Sequence, residues 1–222
     1  MSPEEAFPIG LSLRVATGAM ALVGPLGIAL AFVQARHAYP LRRLVDALVL
    51  LPLVLPPSVV GFVLVLAFGR RGALGGLLEG LGVRVVFSPA AAVMAAGVVA
   101  LPILVKTAQP AIEAVPRQLE DVGRSLGLGP WAVFFRVTLP AAWRGVLAAV
   151  VLGFARAIGE LGATLMFAGN IPGRTNTMPL EILAAYQAGD DRRAGIYVAV
   201  LTAVSILIVV LAARLSPKAP SR

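Results

Sequence analysis

Five apolar runs, at residues 11–33, 44–68, 86–105, 145–168 and 194–213, are separated by polar or basic stretches. A helical bilayer crossing takes about 20 apolar residues, so each run is long enough to span. Core helices of a soluble domain are the competing reading, and composition removes it. Hydrophobic residues make up 59% of the 222, charged residues only 14%, and the mean hydropathy is +0.90. A 22.9 kDa globule has too little interior to hide that much apolar surface. Lipid is then the solvent, and the backbone must satisfy its hydrogen bonds within helices. The expected fold class is an all-α, polytopic membrane protein with about five transmembrane helices.

The same inventory excludes much chemistry. There is no cysteine, hence no disulfide and no thiolate metal site. The one histidine, His37, lies in the basic stretch 34–43, and no metal cluster or nucleophile–base set is visible. An enzyme is not expected, and no metal site. The net charge of +8 would suit nucleic acid, anionic lipid or an anionic substrate. In so apolar a chain, loop charges that set membrane orientation explain it more simply, and nucleic acid is set aside. Glu4 and Glu5 follow Met1 where a signal peptide would carry a basic region, so none is expected.

Lys and Arg divide unequally between the two sides. One set of segments holds Arg36, Arg42, Arg43, Lys106, Arg117, Arg124, Arg136, Arg144, Arg214, Lys218 and Arg222; the other holds Arg70, Arg71, Arg84, Arg174, Arg192 and Arg193, with Arg14 near that side. The richer set belongs inside. This places the N-terminus outside, the 106–138 stretch in the cytoplasm and the C-terminus in the cytoplasm. Arg36, Arg42 and Arg43 read as topology determinants. No internal repeat is evident, which argues against an inverted-repeat secondary transporter.

The second run contains Pro52, Pro56 and Pro57 and cannot be one straight helix. The third opens at Ser88-Pro89 and closes at Lys106, with Ala92, Ala96 and Ala100 as a stripe permitting close helix approach. Residues 106–138, broken by Pro110, Pro116 and Pro130, cannot span. Pro116 suits a first helical turn, and Leu119, Val122 and Leu126 then share a face. Gly127 can take a left-handed conformation and stop that helix. Pro130 starts a second short helix with Trp131, Phe134 and Phe135 on one face. An amphipathic helix here could rest on lipid headgroups or lie in a partner's groove.

Asp121-Val122-Gly123, three residues, Gly127, nine residues, then Val137-Thr138-Leu139-Pro140 resembles the signature loop of importer-type ABC transporter permeases. That pattern is acid-Ala-Ala, three residues, Gly, nine residues, Ile, one residue, Leu-Pro. Asp replaces Glu, and Val and Gly replace the two alanines; Glu120, one position early, could share the acidic role. Leu51-Pro52-Leu53-Val54-Leu55-Pro56-Pro57-Ser58-Val59-Val60-Gly61, followed by Gly69-Arg70-Arg71-Gly72, resembles the second-helix region of molybdate permeases. Phe154-Ala155-Arg156-Ala157-Ile158-Gly159-Glu160-Leu161-Gly162-Ala163-Thr164 resembles the fourth-helix motif of molybdate and sulfate permeases. Asn170-Ile171-Pro172-Gly173-Arg174-Thr175-Asn176-Thr177-Met178-Pro179 resembles the outer segment that follows it, and the Asn-Ile-Pro-Gly start with spaced threonines is closer to the molybdate than to the sulfate branch.

The resemblance implies a single transmembrane permease domain over residues 1–222, of the type I ABC importer fold, with a coupling loop at about 106–138. It implies a subunit of a molybdate importer in the cell inner membrane, with a sulfate or tungstate importer as the alternative; the residues themselves leave open a different class, an ion-coupled transporter or channel with Arg156 and Glu160 at a coupling site. The implied assembly is a homodimer in lipid with two ATP-binding cassette subunits and an extracytoplasmic oxyanion-binding protein. ATP is used by the partner: the chain has no phosphate-binding Gly-Lys-Ser/Thr loop and binds no cofactor itself. Glu120, Asp121, Leu126 and Gly127 are the candidate coupling residues. Pro57, Ser58, Gly61, Arg156 and Glu160 are candidates for the translocation path or gate, and Asn170, Pro172, Gly173 and Thr175 for docking the binding protein. Arg156 and Glu160 lie four apart and can pair; a packing ion pair and a polar path lining both remain open. Pro56-Pro57-Ser58 is likewise a packing kink or a constriction.

Overall fold

The computed structural model describes residues 3–215, which fold into helices with no strand among them. The basic tail residues Lys218 and Arg222 lie outside the described residues. Four helical stretches are long and apolar enough to cross a membrane: α1 (Pro3–Arg36), α5 (Pro89–Glu113), the continuous stretch Pro130–Ile158 and α11 (Asp191–Leu215). The second apolar run divides into α2 (Arg42–Val54) and α3 (Pro57–Phe68), bent by 113° at Leu55-Pro56. Neither half, at about 20 Å, crosses a hydrocarbon core of about 30 Å alone. The five-run reading thus becomes four straight spans and one elbow. Pro56 and Pro57 make the break: Pro57 supplies the first turn of α3, where its missing N–H costs nothing.

α5 is the central post. Ser88 caps it by accepting from the Ala91 N–H at 3.3 Å, and Pro89 occupies the first turn. Its small residues Ala91, Ala92, Ala95, Ala96 and Ala100 are fully buried. They let α1 pack along one side of the post and the Pro130–Ile158 stretch along another. Gly97 sits so near Val23 of α1 that an added Cβ would lie 2.9 Å from it. One core includes Ala16, Ala19, Val99 and Phe167; a second, including Ala31, Ala108, Ile112 and Val146, lies toward the C-terminal ends of α1 and α5. α11 by contrast leaves Ile206, Leu207, Val209 and Val210 exposed, as a lipid-facing helix does.

Two spans differ from the sequence reading at their ends. α5 does not close at Lys106 but runs on to Glu113, through Pro110. Lys106 pairs with Asp46 of α2, and Gln109 donates to Glu113 at 2.8 Å, so polar side chains find partners and the helix continues. The fourth span starts earlier and stops earlier than residues 145–168. α7 (Pro130–Val133) passes through a π segment, Phe134–Thr138, into α8 (Leu139–Ile158) without a break. Pro140 lacks an N–H and its ring would strike the carbonyl four residues back. The wider turn, in which the Leu139 N–H bonds the Phe134 carbonyl, relieves that conflict. The span ends at Ile158, and α9 (Gly162–Ala168) begins after a short gap; the short helices α4 (Ala73–Gly80) and α10 (Met178–Gln187) precede α5 and α11.

Candidate functional site

One end of the bundle is built around α6 (Arg117–Ser125), the short helix beginning after Pro116. Leu119, Val122 and Leu126 are exposed along one side, as the spacing predicts. Gly127 has φ +84° and closes the helix. Its N–H bonds the Arg124 carbonyl at 2.9 Å and the Leu128 N–H bonds the Gly123 carbonyl at 3.1 Å, the double bond of a Schellman stop. On the opposite side Gly123 faces Val133 and Val137, and a Cβ there would sit at 3.4 to 3.5 Å from them, so the alanine of the family pattern would fit.

The two adjacent acids point in different directions. Asp121 is exposed and bonded to Arg124 at 2.7 Å. Glu120 turns inward, with its side chain 2% exposed. It accepts from Arg36 Nε at 2.8 Å, from Thr138 Oγ1 at 2.9 Å and from Arg124 Nη2 at 3.4 Å. Arg36 is 7% exposed and its Nη2 also donates to the Val115 carbonyl at 2.8 Å. The sequence reading gave Arg36 to topology alone; its burial in this cluster makes it a structural partner of α6. No local spacing signals this, because the partners are 84 residues apart. Phe134 is buried against Phe32 of α1 with ring centroids 4.7 Å apart. Trp131 and Phe135, exposed, border the same apolar groove of about 590 Å³ between α1 and the π segment.

The candidate path residues gather where the α3 elbow meets α9. A Cβ on Gly61 would lie 2.8 Å from the Ala163 carbonyl oxygen, and one on Gly162 would lie 2.8 Å from Pro57. Gly61 is therefore a buried contact glycine, while Pro57 and Ser58 stay exposed on the surface of this single chain. Arg156 Nη2 and Glu160 Oε2 pair at 2.8 Å, with side chains 27% and 2% exposed. Glu160 stands in the gap between α8 and α9, and its other oxygen accepts from the Ala163 N–H at 2.8 Å. The pair therefore straddles a helix end and fastens the start of α9, rather than lying within one helix.

In the segment after α9, Pro172, Gly173 and Arg174 are exposed. Thr175 is fully buried: it accepts from the Ile171 N–H and donates to the Gly169 carbonyl, both at 3.0 Å. Asn170 donates to the Leu180 carbonyl at 3.3 Å. Thr175 thus shapes the loop, and Pro172 and Gly173 form its surface. Sequence reading missed the network beneath: Asn176 accepts from Gly173 N–H and donates to Glu181, which pairs with Arg193 of α11 at 2.7 Å. Among the described residues no group of three or more His, Asp or Glu is placed to hold a metal ion.

A family model described as "Binding-protein-dependent transport system inner membrane component" matches residues 24–219. The molybdenum transport system permease protein ModB of Escherichia coli is 40% identical over 218 residues, covering 96% of this chain and 95% of that one. A probable sulfate transport system permease protein, cysT, of Chlorokybus atmophyticus is 33% identical over 208 residues, covering 91% and 73%. The fold is also that of a chain of the MetNI methionine ABC transporter, at 18% identity and a TM-score of 0.68, over 98% of this chain and 100% of that one.

Proposed function

The chain belongs to the family of binding-protein-dependent transport system inner membrane components, and from that membership we propose that it is the permease subunit of an ATP-driven importer for molybdate. The observation that carries the coupling role is α6: an apolar ridge exposed at the protein surface and seated on the π segment that opens the fourth span. Leu119, Val122 and Leu126 fit a groove on a separate ATPase subunit, and Asp121 lies at the rim of that contact. Identity to ModB over nearly the whole length favours molybdate; the sulfate permease relative supports sulfate as the second reading.

Two copies form a symmetric dimer with the pathway on the two-fold axis. The exposed Pro56, Pro57, Ser58 and Val59 of the elbow, unpacked by their own chain, support this placement. A binding protein delivers the oxyanion to the outer face, where Pro172, Gly173 and Asn170 form part of its seat. The side carrying most Lys and Arg is cytoplasmic, so the N-terminus is outside. ATP closes the partner ATPase pair, α6 carries that motion to the packed spans, and the dimer switches between two discrete arrangements.

Reconstituting the permease with its ATPase and binding protein in proteoliposomes tests this. ATP-dependent molybdate uptake that needs all three components is expected, with sulfate competing weakly. Uptake without the ATPase, or a preference for sulfate, overturns the reading or moves it to the sulfate branch.

A further inference from the structure

We propose that the buried Arg36–Glu120–Thr138 cluster is the positioning joint through which α6 moves α1 in step with the fourth span, an inference that rests on the coupling role proposed above. The backbone of α6 packs mainly on α7 and the π segment. A displacement of α6 therefore reaches α8 by direct packing. Its firm link to α1 runs through one side chain: Arg36, the last residue of that helix. One arm of the guanidinium donates to Glu120 and the other to the Val115 carbonyl, just beyond α5, both at 2.8 Å. Thr138 donates to the same Glu120 oxygen at 2.9 Å. A single carboxylate thus gathers the inner ends of α1, α6 and the π segment, and Arg36 adds the turn that leaves α5.

The chemistry suits transmission better than stability. A buried ion pair is often no more stabilising than well-packed apolar side chains of the same volume. What it adds is direction. A planar guanidinium with two arms engaged holds its partners at fixed angles, whereas apolar side chains slide past one another.

The test uses the complete reconstituted transporter, with molybdate uptake and ATP hydrolysis measured on the same vesicles. The double variant Arg36→Met/Glu120→Leu removes both charges together, so no unpaired charge is left buried. It is expected to assemble and hydrolyse ATP, with molybdate carried per ATP falling about tenfold, within the usual range of coupling between sites. Thr138→Val, close in shape, is expected to lower the same ratio while leaving the assembled yield unchanged. It serves should the double variant fail to assemble. A wild-type ratio in Thr138→Val, or in an assembled double variant, overturns the joint, even if thermal stability changes. Absence of ATP-dependent molybdate uptake in the wild-type complex instead removes the functional reading on which the joint depends.

Discussion

Gly61→Ala probes the elbow directly. Its new Cβ would lie 2.7 Å from Met166 Cβ, 2.8 Å from the Ala163 carbonyl oxygen and 2.9 Å from Ala163 Cα. Carbon atoms rest at about 3.5 Å or more, so α3 and α9 must separate by roughly 0.6–0.8 Å. Two of the opposing atoms are backbone and cannot rotate away. Overpacking of this kind costs about 1–3 kcal/mol. Gly10→Ala in α1 is the control, since a Cβ there meets nothing within 4 Å. Both substitutions gain the same helix propensity, up to about 1 kcal/mol, which cancels in the comparison. At about 2–4 °C per kcal/mol for a chain of this size, Gly61→Ala should melt about 2–12 °C below Gly10→Ala. Thermal unfolding of the two purified permeases in detergent measures the difference, and molybdate uptake by the reconstituted Gly61→Ala transporter should fall as well. Equal midpoints and equal uptake would show that the elbow does not press on α9.

Gly127→Pro and Asp121→Lys should each abolish most stimulated ATP hydrolysis while membrane insertion stays normal; wild-type stimulation in both would take α6 out of the coupling contact. Arg156→Met should lower folded yield, because Glu160 is left buried without its partner at a cost of about 3–5 kcal/mol. Adding Glu160→Gln, which keeps an acceptor for the Ala163 N–H, should restore most of that yield, and a single variant as stable as the parent would refute the pairing. The chain has no cysteine, so single thiols report topology cleanly. In intact cells an impermeant maleimide should label Pro172→Cys and spare Leu126→Cys, and the reverse pattern would invert the proposed orientation.

Local signals were legible and distant ones were not. Pro116, the spacing of Leu119, Val122 and Leu126, and Gly127 described α6 completely, because helix starts, faces and stops are set within a few residues. Which of Glu120 and Asp121 faces inward was hidden, since the answer lies in Arg36 and Thr138, 84 and 18 residues away. Lys106 read as the end of a span, but Asp46, 60 residues off, accepts its charge and lets α5 continue. Arg156 and Glu160 read as one helical face; the break at Gly159 that sets Glu160 on the start of α9 has no proline to announce it. Pro140 was legible only as the end of the signature pattern, and the widened turn before it, which lets the helix pass through, leaves no mark in the local spacing.

That passage has a mechanical consequence. From Pro130 to Ile158 there is one uninterrupted rod of 29 residues, about 43 Å long at 1.5 Å per residue. It bears α6 at one end and Arg156 at the other. A tilt of about 5° about the end that bears α6 would carry the far tip about 4 Å sideways, by the same rise per residue. A small rotation imposed at that end is thereby turned into a displacement at the other wide enough to open or shut a passage for a small ion, with no bond in the rod itself having to break.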